Sequence, residues 1–169
     1  MMKRSIKSAF LLPVFLLAFS KQASLTVTSP AFSAGGMIPD KYTCQGAEVS
    51  PPLKVANIPS GAKSLAIIVH DPDAPHPGGV THWVAWNLPV NGVIPENFKG
   101  GAQGQNSDKK TGYKGMCPPT GTHRYNFRVY ALDATLQLDS TTGKAALEAA
   151  MQGHILAGGV LMGRYSKGK

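Results

Sequence analysis

Aspartate, histidine and tyrosine residues gather around one stretch of this chain. Asp71 and Asp73 leave an apolar run, Leu65 to Val69, and enter a turn that carries Pro72, Pro75 and Pro77. His82 stands where a strand-like pattern resumes, and His123 opens another such run two positions before Tyr125. A carboxylate can hold an imidazole by one ring nitrogen and leave the other facing a ligand. Tyr125 adds a phenol donor. Together these groups suit a small anion, held by imidazole N–H groups with Asp71 behind them. Two histidines and an aspartate also match the ligands of a non-haem iron or zinc site. A structural reading is open as well, in which each histidine ends a core face and is satisfied by a backbone carbonyl. Nucleophilic catalysis has less support, since no Ser or Thr sits on a G-x-S-x-G elbow. A metal hydrolase would want a further acid or base, and Glu48 and Glu96 lie in loops.

The elements that must position these residues follow from periodicity. Leu65 to Val69 is apolar on both faces, as in the centre of a packed sheet. Prolines stiffen the next turn and end the ladder. Alternation places His82 on one strand face with Val84 and Trp86, and His123 on one face with Tyr125, Phe127, Val129 and Ala131. Arg124 and Arg128 take the other face, as surface or loop-bridging cations. Asp73 reads as a turn residue that caps nearby amides, whereas His70, His76 and His154 have no evident converging partners. Further strands are expected at Leu25 to Thr28, Leu53 to Asn57 and Ile155 to Tyr165. A long loop, Pro89 to Gly121, is expected to be pinned in its second half. The run Lys144 to Met151 predicts a helix capped by Thr141 or Thr142 and ended by Gly153.

With 169 residues, 19 Gly and 13 Pro, the chain fits one β-dominated domain. The net charge of +8 is scattered, and no aromatic residues alternate with a basic stripe, so nucleic acid is not an expected partner. Lys3, Arg4 and Lys7 precede an apolar run, Ala9 to Phe19, and the small residues Ala18 and Ser20 follow its core. That is the pattern of a secretory signal peptide over residues 1–20, leaving a single domain over 21–169. The run contains Pro13 and is shorter than the roughly 20 residues of a membrane span. No cysteine follows it to carry a lipid, so no stable membrane anchor is expected. An exported chain, periplasmic or secreted, meets an oxidising compartment. Cys44 and Cys117 are therefore expected to form a disulfide, worth at most about 4 kcal/mol by the chain-entropy model. The alternative is a pair of buried free thiols.

Four motifs, DPDAP (Asp71 to Pro75), HW (His82, Trp83), CPP (Cys117 to Pro119) and HRYNFRVYALD (His123 to Asp133), resemble the phosphatidylethanolamine-binding protein superfamily. The similarity spans Leu25 to Tyr165 and is narrower still to the bacterial Raf-kinase-inhibitor-like branch with a signal peptide. The resemblance implies two packed antiparallel sheets, one short helix near the C-terminus, and a small anion-binding pocket at one end. It implies no established catalytic reaction; no cofactor and no metal are expected for this chain. The pocket residues it implies are Asp71, His82, Pro118, His123 and Tyr125, and it suggests a cis Ala74–Pro75 bond. The chain departs from many relatives in carrying Val80 and Thr81, not aromatic residues, before His82. The expected function is binding of phosphate, a phosphate monoester head group or a carboxylate anion. The alternative is a protease or kinase inhibitor acting through protein contact. Export is checked by intact mass of protein recovered outside the cytoplasm, expected to begin at Lys21; a chain retaining Met1 to Ser20 would refute the leader.

Overall fold

Strand β4, Ser64–Asp71, is buried at every position, which is what a run apolar on both faces demands. In the computed structural model, which describes residues 23–168, it lies inside a six-stranded sheet. The expected leader over residues 1–20 falls outside the described residues. The sheet runs in the order β1 (Ala23–Ser24), β9 (Ile155–Tyr165), β8 (His123–Leu132), β4, β5 (Val80–Leu88), β7 (Ala102–Gln103). It is antiparallel except for β1, a short edge strand parallel to β9. A second, three-stranded antiparallel sheet pairs β2 (Thr26–Thr28) with β3 (Leu53–Ala56) and β3 with β6 (Val93–Ile94).

The main core lies between the two sheets. Leu65, Ile67 and Val69 of β4 meet Phe127 and Val129 of β8, with Leu53, Val55 and Ile94 from the small sheet. Alternate residues of the same strands, Ala66, Ile68, Val84 and Trp86, build a second core under helix α1, Lys144–Met151, through its Leu147 and Met151. Trp83 and Trp86 thus serve opposite faces of one strand.

Three expectations about local structure are revised. Leu25 to Thr28 is not one strand; the chain passes at Leu25 from the edge of the large sheet into the small one. The crossing is tight, because Leu25 N–H donates to Gly158 O at 3.0 Å and a Cβ on Gly159 would lie 2.4 Å from Leu25 O. The stretch Pro89 to Gly121 is not loop throughout, since its first half contributes β6 and β7 to the two sheets, while its second half is pinned as expected by the Cys44–Cys117 bond and by Lys114 N–H donating to His82 O. The N-cap of α1 is Gly143, with no side-chain cap; Asp139 holds Thr141 by its amide and hydroxyl, and Thr142 is buried. Gly153 follows the helix with φ of 81°, as expected.

Gly159→Ala puts a methyl group into a backbone atom that belongs to a strand junction and cannot rotate away. Overpacking of this kind costs about 1–3 kcal/mol, so urea unfolding of the variant should show a lowered midpoint with an unchanged slope. An unchanged midpoint would mean that the crossing is looser than described.

Candidate functional site

One irregularity in strand pairing builds the site. Val69 of β4 faces Trp83 of β5, yet the next residue, His70, faces Thr81. β5 therefore carries one extra residue there, and that residue is His82. A bulge bends its strand and re-aims a side chain. Alternation assigns His82 to the face of Val84 and Trp86, but the bulge turns it to the other side, with Trp83. Its ring meets Tyr125 edge-on, centroids 5.3 Å apart at 81°.

Asp71 ends β4 on the same side. Its Oδ1 accepts from the amides of Asp73 (2.8 Å) and Ala74 (3.1 Å), and its Oδ2 accepts from His123 Nδ1 (2.8 Å). So Asp71 does hold an imidazole, but that of His123 rather than His82. The turn it anchors contains no cis bond, contrary to expectation at Ala74–Pro75. His76 N–H donates across Pro75 to Ala74 O at 2.8 Å, a three-residue turn that the fixed φ of proline suits with a trans bond. The chain then closes on β4 through Gly79, φ 73°, where a Cβ would sit 2.3 Å from Asp71 O. Only glycine fits both the conformation and the approach.

His82 is held by backbone. Its Nδ1–H donates to Lys114 O at 3.0 Å, and Lys114 N–H returns a bond to His82 O at 2.8 Å. The carbonyl satisfaction considered for these histidines thus applies to Nδ1 of His82. Burial lowers its pKa to about 4 against smaller upward pulls from the Lys114 carbonyl and Asp71. The ring is therefore neutral near pH 7, and with hydrogen on Nδ1 its Nε2 is an acceptor. The expectation of two imidazole N–H donors is corrected for this residue. The Tyr125 hydroxyl is buried without a hydrogen-bond partner of ordinary geometry, and burial, then the Asp71 charge, pushes the phenol up.

A cavity of about 140 Å³ opens beside these groups. Asp71 and His82 form its polar wall, and Pro75, Lys114, Cys117 and Pro118 are among its other lining residues. His123 and Tyr125 are not on the lining; they stand against Asp71 and His82 from β8. Lys114, absent from the residues singled out by sequence, supplies a wall and shares its ammonium with Asp108 at 2.6 Å. Its sequence signals are proximity to the CPP motif and a place in the densest basic cluster, with Lys109 and Lys110. The Cys44–Cys117 disulfide, Cα–Cα 5.4 Å, ties that wall to the segment just after the helical turn Asp40–Tyr42, reinforced by Cys44 N–H donating to Met116 O. Among the described residues no three His, Cys, Asp or Glu side chains gather as metal ligands.

The family model for phosphatidylethanolamine-binding protein matches residues 28–166. The chain belongs to the phosphatidylethanolamine-binding protein family. A UPF0098 protein of Archaeoglobus fulgidus is 47% identical over 154 residues, 86% of this chain but 52% of that relative, so the chain spans about half its length. A crystal structure of a phosphatidylethanolamine-binding protein homologue from Chlamydia trachomatis superposes with a TM-score of 0.82 at 43% identity, covering 86% of this chain and 99% of the other. Escherichia coli YbcL, described as a member of the mammalian family, gives 0.80 at 29% identity, covering 86% and 100%. Membership in this phosphatidylethanolamine-binding protein family supports ligand binding in general.

Two other assignments change. Asp73 does not cap the turn; it takes the Arg124 guanidinium in two bonds, Nε at 2.9 Å and Nη2 at 2.6 Å, and accepts from the Arg124 amide. Arg124 holds its carboxyl down to about 2. His154, thought to lack a partner, pairs with Asp133 at 2.8 Å. His70 remains on the far face, 3.5 Å from the Thr81 hydroxyl.

The lowered pKa of His82 has a sign. Between about 6.5 and about 4 the unfolded chain binds this proton and the folded protein does not, so stability falls as pH drops through that window and levels off below it. The full span is on the order of 3 kcal/mol. Urea unfolding from pH 7 down to the lower edge should show that loss in the wild type and a shallower one in His82→Gln; parallel curves would refute a neutral buried His82.

Proposed function

We propose that this chain is an exported binding protein for a small phosphate-bearing or carboxylate anion, the first candidates being phosphate and phosphate monoester head groups. It binds rather than turns over its ligand. The observation that carries this is the cavity at the end of the large sheet, walled by Asp71, His82, Lys114 and Pro118. Its volume of about 140 Å³ is well below the roughly 300–1,000 Å³ of pockets for drug-sized ligands. A head group matches that scale better than a whole lipid. Lys114 brings a cation to the wall, and the Asp71 carboxylate already accepts from two amides and an imidazole, which blunts its repulsion of an anion. The disulfide is compatible with export, and no helix among the described residues is long and apolar enough to cross a membrane.

Calorimetric titration with phosphate tests the site. His82→Ala and Asp71→Asn should each weaken binding by about tenfold or more, the consequence of losing one buried polar partner. His70→Ala, on the opposite face, should leave it unchanged. Equal affinity in all four proteins would sink the site, and no binding to the wild type would sink the function.

A further inference from the structure

Resting on the small-anion reading above, we infer that the cavity selects ligands that bring their own proton donor. An oxyanion bearing an O–H, such as hydrogen phosphate or a singly protonated phosphate monoester, is bound in preference to a fully deprotonated one such as sulfate.

The geometry starts from a backbone carbonyl. Lys114 O has no proton to give, so His82 Nδ1, 3.0 Å away, must carry the hydrogen of that bond. A neutral imidazole has one N–H, which leaves Nε2 as a lone pair. The hydrogen bond that fixes the ring is the one from Nδ1 to Lys114 O, and His82 itself lines the cavity. The other polar side chain of that wall is the carboxylate of Asp71, again an acceptor. β4 and β5 therefore present acceptors to the ligand, and the cationic residue of the facing loop, Lys114, has its ammonium paired with Asp108.

Turning His82 into a donor would require protonating it. The groups around it divide. Burial and the Lys114 charge oppose the proton, whereas Asp71 from β4 and the Lys114 and Gly115 backbone favour it, and burial outweighs the rest. Asp108, beside Lys114, is committed to that ammonium. From β8, Tyr125 offers a ring edge and a buried hydroxyl, and His123 is tied to Asp71. From the turn, His76 lines the cavity but makes no bond to His82. A ligand O–H pointing at Nε2 settles the lone pair without moving any of these groups. Sulfate sets an oxygen lone pair against a nitrogen lone pair, and the buried acceptor goes unpaired.

The test titrates the intact protein calorimetrically with inorganic phosphate, sulfate and methyl phosphate at about pH 5.5 and about pH 8, either side of the second dissociation of a phosphomonoester near 6. Phosphate, which keeps a proton at both, should bind at least about tenfold more tightly than sulfate at both. Methyl phosphate, which loses its last proton, should weaken by about tenfold or more at the higher pH. Nitrogen-15 NMR of the wild type should report the Nδ1–H tautomer for His82. In His82→Gln, whose amide can turn an N–H into the cavity, the preference over sulfate should collapse. Equal affinity of the wild type for phosphate and sulfate overturns the selection and leaves the small-anion reading standing. An Nε2–H tautomer overturns the selection whatever binds. Failure of both phosphate and sulfate to bind ends the small-anion reading and this inference with it.

Discussion

The carboxylate of Asp71 joins three parts of the molecule at one point. It ends the central strand, gathers the amides of Asp73 and Ala74 into a turn, and fixes the ring of His123 at the start of β8. A buried acceptor with three donors is a rigid junction, since each unmet bond would carry a desolvation cost of about 1–3 kcal/mol. The turn between β4 and β5 is further clamped from outside, where Arg124 grips Asp73 with a planar fork. The rim of the sheet is thus set before any ligand arrives.

The facing wall is built by a different device. The segment from Tyr113 to Pro118 has no sheet of its own to belong to and is held by point contacts. Tyr113 donates to Tyr42 O at 2.7 Å, Lys114 exchanges two bonds with His82, and Cys117 is covalently joined to Cys44. Met116 is fully buried beneath it. The cavity lies between a wall that is part of the β ladder and a wall that is stapled to it.

The polar wall on the ladder side consists of acceptors. That follows from which backbone group reaches His82. A carbonyl selects the Nδ1–H tautomer, whereas a backbone amide in the same place would have selected the opposite one and turned Nε2 into a donor. The hydrogen-bonding character of this small pocket's wall is therefore set by a peptide group as much as by the side chains that line it.

Sequence alone determined the elements with strong local signals. The doubly apolar β4, the helix over Lys144–Met151 and the glycine that ends it, the final strand, and the pairing of the two cysteines all read directly from residue type and period. The motifs around Asp71, His82 and His123 likewise marked the end of the sheet where these residues meet, although not their roles there. What tertiary structure decided was orientation. Alternation assumes an unbroken pleat, and the extra residue at His82 exists only in the pairing of β5 against β4, so the face of that histidine could not be counted from its own strand. Which imidazole Asp71 holds, and which carbonyl holds the other, depend on contacts across 52 and 32 positions of chain. The trans bond at Ala74–Pro75, the fork of Arg124 on Asp73 and the partner of His154 are settled the same way, by groups distant in sequence or by backbone bonds within a folded turn. Residue type states what a side chain can do; the register of the strand beside it states which way it points.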